Sequence, residues 1–178
     1  MRKVEVVEYN SMWPIFFEEE AENIRSILGD QLIEIHHIGS TAVKNLKAKP
    51  IIDIMPVVRD ITKIDYYNKE FEKLGYEAMG EYGIAGRRFF IKGPIIRTHH
   101  VHIFDIRNIK EIERHLAVRD YLRAHPEEAF EYGELKSKVA YLYPYDIEAY
   151  CNGKDAFVKE LERKALIWYY ATNQIKKE

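Results

Sequence analysis

A chain of 178 residues that is 47% hydrophobic has enough apolar mass for one domain with its own core. A formal net charge of -2 supplies no bulk basic field for nucleic acid or an anionic membrane, and the single cysteine, Cys151, excludes an internal disulfide and a cysteine-cluster zinc site. No apolar run approaches the roughly 18 to 20 residues that span a bilayer, and the first residues, MRKVEVVEYN, lack the apolar core of a signal peptide, so a soluble cytoplasmic protein is expected.

Val4–Glu8 alternates like a short strand. Ser11 is positioned to cap a helix with Pro14 in its first turn, and Phe17, Ala21, Ile24 and Leu28 form its apolar stripe before Gly29 ends it. Ile33–Ile38 and Ile51–Val58 read as neighbouring strands. Asp60 and Thr62 can cap a helix carrying Ile64, Tyr67, Phe71 and Leu74 on one face. Three short strands follow, Tyr76–Met79, Arg87–Lys92 and Thr98–Ile106, punctuated by Gly80, Gly83 and Gly86 and then by Gly93-Pro94. The last 70 or so residues read as helical: one helix opened by Asn108 and Glu111, a second opened by Pro126 after a break at His125, and a last one after Gly153, striped by Phe157, Leu161, Ala165 and Trp168. One domain over residues 1–178 is expected, an α/β core (1–107) followed by a helical portion (108–178) that ends in a charged tail, Lys176–Glu178.

The rest of the chain is organised around IEIHHIGSTAVKNLKAKPIIDIMP. Its first strand ends in Gly39-Ser40-Thr41, where a small residue lets the backbone turn close to a ligand and frees N–H groups for an anion. Asp53 then lies inside Ile51-Ile52-Asp53-Ile54, a run apolar enough to bury it, and a buried carboxylate needs a cation, a donor or a metal beside it.

HHIGSTAV followed by AKPIIDI closely resembles the signature of the GrpB family, and the resemblance continues in GEYGIAGRRFF, THHVHIF, RHLAVRDYLRAHPE and YCNGKDAFV, over nearly the whole chain. That family is assigned to the nucleotidyltransferase superfamily fold, which implies a mixed sheet with flanking helices. It also implies a Gly-Ser turn that cradles phosphate oxygens and carboxylates that hold divalent metal, Mg²⁺ or Mn²⁺. On that resemblance Gly39, Ser40 and Thr41 bind phosphate, and Ser40 and Asp53 are the catalytic candidates. Two departures stand out. Met55 occupies the place where nucleotidyltransferases of this fold carry a second acid, and Lys44-Asn45 stands where the family shows Pro-Gly.

Other residues can complete such a site. His100 and His102 share a strand face while His99 points the other way, and a His-x-His pair beside an aspartate suits Zn²⁺ or Mn²⁺ better than Mg²⁺. A core hydrogen-bonder and a surface residue is the plain alternative. His37, next to the Gly-Ser turn, is a further metal candidate. Lys49 before Pro50 is a phosphate ligand or a partner of Asp53. Arg87 and Arg88 point to opposite faces, one of them a clamp for a phosphate or carboxylate. Arg119, with Arg123 and His125 on one helix, forms an anion-binding wall or an ion-pair network with Asp120.

The leading expectation is a metal-dependent enzyme that binds a nucleotide or phosphorylated small molecule and transfers a nucleotidyl or phosphoryl group. The alternatives are a non-catalytic ligand-binding module and a metal hydrolase built on His37, Asp53, His100 and His102.

Overall fold

A computed structural model describes residues 3–175; the charged tail at Lys176–Glu178 lies outside them. By contacts the chain forms two compact units. One contains residues 11–38 and 51–112; the other contains residues 1–10, 39–50 and 113–178.

The first unit is a five-stranded mixed sheet with helices. Its strands are β1 (Leu32–Ile38), β2 (Ile52–Val58), β3 (Tyr76–Ala78), β4 (Arg87–Lys92) and β5 (His99–Asp105), in the order β1-β2-β5-β4-β3. Only β2 and β5 run parallel. The helix α1 (Trp13–Leu28) packs on β1 and β2. Its N-cap is Met12 rather than the expected Ser11, with no side-chain cap; Pro14 has no N–H, which leaves one donor fewer to satisfy there. The expected helix after Asp60 is divided. The Asp60 side chain accepts from the Thr62 N–H, a 3-10 segment runs through Ile61–Tyr67, and only Asn68–Lys73 (α2) is α-helical.

Residues paired across strands point to the same side, so the register assigns the two sheet faces. Ile38, Asp53, Met55, His100, His102, Phe89 and Arg87 share one face. His37, Ile54, Val101, Ile103, His99, Phe90 and Lys92 share the other. On that second face His37 stacks on Phe17 of α1 at 4.8 Å and Phe90 on Phe71 of α2 at 4.2 Å. The core of the unit, with Ile24, Ile54, Val101 and Ile103 fully buried, lies here.

The second unit is helical: α3 (Ile109–Ala124, its later turns), α4 (Pro126–Leu142) and α5 (Ile147–Ile175). Val43, Leu46, Tyr121, Leu122, Tyr132 and Leu161 form its core. Val4–Glu8 contributes one antiparallel bridge, Val7 to Ala48, rather than a strand. Gly153 stands inside α5 instead of before it: a Cβ there would lie 2.6 Å from a Val139 methyl, so the glycine serves the close approach of α5 to α4. Asn45 takes the left-handed backbone (φ 65) that asparagine tolerates, so a turn is retained without Pro-Gly. Among the described residues, no helix is long and apolar enough to cross a membrane.

Candidate functional site

On the first face of the sheet, Asp53 pairs in register with His100 on the parallel strand β5. Its Oδ1 lies 3.0 Å from His102 Nε2 and 3.5 Å from His100 Nδ1. Among the described residues, these three side chains are the only set of three or more His, Cys, Asp or Glu whose potential metal-ligating atoms all lie within 4.8 Å of one another. The alternation read from sequence therefore brings His100, His102 and Asp53 together. The carboxylate is partly open, 27% exposed, while the imidazoles are more buried.

Arg87 fixes the chemistry of His102. A guanidinium only donates, and Arg87 NH1 lies 3.2 Å from His102 Nδ1, so Nδ1 accepts and Nε2 carries the hydrogen that it donates to Asp53. Burial pushes His102 down from its ordinary range; Asp53 opposes this, and Arg87 and His100 add to it, so the ring is neutral at pH 7. Burial alone raises Asp53, yet its contacts with the N–H edges of His100 and His102 outweigh that and hold it ionised, well below the usual carboxylate range. His100 Nε2 is buried and makes no hydrogen bond.

Arg87 is the arginine on this face, but it is not an open clamp. It is 6% exposed, donates to the Glu81 and Tyr82 carbonyls at 3.1 and 2.6 Å, and lies over the Phe89 ring. Arg88, on the other face, forms a two-pronged pair with Asp65 at 2.7 and 3.1 Å. His37 is also on the other face, stacked on Phe17, because it is one residue out of phase with Ile38, the partner of Asp53. The structure does not bring it to the Asp53 cluster.

The second unit has its own polar focus. Gly39 (φ 71) leads into a single 3-10 turn, Ser40–Ala42, with Thr41 buried. Lys136 of α4, only 3% exposed, donates to Ser40 Oγ at 2.8 Å and lies over the Tyr132 ring. Ser40 thus accepts from an ammonium and keeps its own hydroxyl hydrogen to donate. Arg123 clamps the turn by two bonds to the Ala42 carbonyl at 2.9 and 2.8 Å. Of the two alternatives for this helix, the ion pair with Asp120 is present: Arg119 Nε bonds Asp120 at 2.7 Å, and His125 stacks on Tyr121 at 3.9 Å. Lys49 lies over the Tyr150 ring at 5.3 Å. Lys136 was not anticipated from sequence. It stands 96 residues from Ser40, and its only local signal is a lysine in the run GELKSKVAYL, between buried Gly133 and Val139.

The family model described as GrpB protein matches residues 3–164. The chain belongs to the GrpB family. Among GrpB relatives, it is 46% identical over 172 residues to the UPF0157 protein YqkA of Bacillus subtilis, an alignment covering 97% of this chain and 50% of that one, so it spans half the length of that relative. It is 34% identical over 164 residues to the glutamate-rich protein GrpB of Alkalihalophilus pseudofirmus, covering 89% of this chain and 94% of the other. The crystal structure of the conserved protein GrpB from Enterococcus faecalis is similar at a TM-score of 0.91 and 50% identity, covering 93% of this chain and 99% of that one. The expected α/β sheet with flanking helices and a helical C-terminal half is the fold observed.

Proposed function

We propose that this GrpB protein binds a nucleotide or other phosphorylated small molecule and transfers a nucleotidyl or phosphoryl group, with a divalent cation held by Asp53, His100 and His102. The observation that carries the reading is the approach of two imidazole nitrogens to one carboxylate oxygen, at 3.0 and 3.5 Å. Ligands each about 2.1 Å from one ion lie roughly 3.0 to 3.4 Å apart, close to these edges, and His102 joins such a shell as its Nδ1–H tautomer, with the Arg87 contact released. One carboxylate with two imidazoles suits Mn²⁺ or Zn²⁺ better than Mg²⁺, which favours oxygen ligands. When bound, such a cation neutralises charge on phosphate oxygens.

The chain's own contributions follow from the geometry. Asp53 stays ionised at neutral pH, and Phe89 walls the two imidazoles at 5.3 and 4.9 Å. In the other unit, taken by itself, the Ser40 hydroxyl accepts from Lys136 and keeps its own hydrogen to donate. The nucleotidyltransferase chemistry itself rests on the family resemblance.

A second reading, a ligand-binding module without a cation, is favoured by the Arg87–His102 contact, which satisfies both His102 nitrogens without any metal. Calorimetric titration of Mn²⁺, Zn²⁺ and Mg²⁺ into chelator-stripped wild type and Asp53→Asn separates the two. The proposal expects Mn²⁺ or Zn²⁺ uptake that Asp53→Asn loses. It also expects a cation-dependent rise in thermal stability with nucleotide, about 2.7 kcal/mol for a ligand at about 100 times its Kd. A folded wild type that takes up none of the three ions sinks the cation and leaves the module.

A further inference from the structure

The turn between β3 and β4 is held in an unusual state. Gly80, Gly83 and Gly86 adopt positive φ angles of 61°, 84° and 75°, and so does Tyr82, at 44°. Glycine or asparagine takes that backbone at little cost, whereas an aromatic residue there is strained. The surroundings keep the strain in place. Arg87 NH2 donates to the Tyr82 carbonyl at 2.6 Å, Glu81 Oε1 accepts from the Gly86 N–H at 2.7 Å, and Phe89 N–H bonds the Gly80 carbonyl at 2.8 Å.

What this achieves is the placement of a ring. Tyr82 is 56% exposed, yet it is stacked nearly parallel on Phe89, centroids 5.3 Å apart and planes at 21°. Phe89 in turn contacts His100 and His102, at 5.3 and 4.9 Å. Aromatic surface therefore runs without a break from solvent to the imidazoles around Asp53. Folding the turn does not require a tyrosine: with its ring so exposed, Tyr82 buries little that would offset the strain. Strain that persists beside a polar cluster marks a position selected for what its side chain meets.

We infer that Tyr82 is the stacking residue for a planar aromatic part of the substrate, a nucleobase. This rests on the proposed reading of the Asp53 cluster for the phosphorylated part of the substrate, but not for the base. One ring face of Tyr82 is taken by Phe89, and a base stacks on the other. Stacking is tolerant of sequence because every base has a π face, so the shelf selects nucleotides over sugar phosphates without choosing among bases.

The test compares adenosine 5'-monophosphate with ribose 5-phosphate by calorimetry in the presence of Mn²⁺, for wild type, Tyr82→Phe and Tyr82→Ala. Wild type is expected to bind the nucleotide at least about ten-fold more tightly than the sugar phosphate, the equivalent of about 1.4 kcal/mol. Tyr82→Ala is expected to lose that preference while its affinity for ribose 5-phosphate stays as it was. Tyr82→Phe is expected to keep the preference. Equal binding of the two probes by wild type, no binding of either, or an undiminished preference in Tyr82→Ala overturns the assignment. Mn²⁺ titration without nucleotide tells this failure from that of the cation reading. Cation uptake with no base preference sinks only the stacking role; a base preference that survives in Asp53→Asn without cation uptake sinks only the cation.

Discussion

Two carboxylates on opposite sides of one sheet, Glu20 of α1 and Asp53 of β2, differ in what surrounds them. On the face covered by α1, Glu20 is 5% exposed and closed against Lys92 at 2.9 Å. On the other face, Asp53 is partly open and meets two imidazoles, of which His102 is kept from charging by burial and Arg87. The adjacent arginines repeat the contrast in reverse: Arg87 is buried and bonded to carbonyls, whereas Arg88 is paired with the exposed Asp65. Burial of an ionised group is thus not by itself a sign of function. A lysine–glutamate pair is complete, while a partly open carboxylate beside imidazoles retains capacity for a further ligand.

The largest effect expected from breaking this contrast is at Arg87. Arg87→Ala removes donors from the Glu81 and Tyr82 carbonyls and from His102 Nδ1. It should cost about 3 kcal/mol of unfolding free energy. Arg88→Ala breaks a pair whose acid is more than half exposed and should cost about 1 kcal/mol or less. Urea unfolding of both variants reads the difference, and equal losses would mean that the Arg87 bonds stabilise no more than a surface pair.

A smaller gap is expected between the two acids. Glu20→Ala leaves Lys92 without the partner it has beneath α1 and should cost about 2 kcal/mol, discounted because the lysine is a quarter exposed. Asp53→Asn keeps an oxygen that accepts from His102 Nε2–H and should change stability by no more than about 1 kcal/mol. If Asp53→Asn proves the more damaging, the Asp53 cluster is holding the sheet together rather than standing ready for a ligand.

Alternation made half of this site legible in the sequence. A period of two places His100 and His102 on one side and His99 on the other, and it separates Arg87 from Arg88. The same rule, carried through the Ile38–Asp53 pairing, excludes His37, whose nearness to Gly39 along the chain had suggested otherwise. What alternation cannot supply is pairing at long range. The Lys136–Ser40 bond joins a helix to a turn far along the chain, and nothing local to either residue announces it. The left-handed Tyr82 is hidden for another reason. Its three flanking glycines signal a turn, but they do not say that a tyrosine among them shares their backbone.

A last expected effect concerns acid, and its sign follows from two partly buried histidines, His99 and His102. Burial lowers His99 and His102 below the ordinary imidazole value of 6.5; Lys92 assists at His99, Arg87 at His102, and Glu20 and Asp53 respectively oppose. In the unfolded chain each imidazole takes up a proton as pH falls through about 6.5, while the folded one resists, so the unfolded state binds more protons and stability falls. Glu20 behaves differently. Burial raises it, but Lys92 holds it lower overall, so its contribution is intact above about 4.3 and is lost only as pH falls through its folded value. Unfolding free energy should therefore be flat above pH 7 and decline between about pH 6.5 and 5, each histidine adding at most about 1.4 kcal/mol per pH unit. His99→Gln and His102→Gln, unfolded in urea at pH 7.5, 6.0 and 5.0, should each flatten that decline, and the variant that flattens it more identifies the face that resists protonation more strongly. A decline unchanged in both variants would place the acid sensitivity elsewhere and remove the claim that His102 is kept neutral beside Asp53.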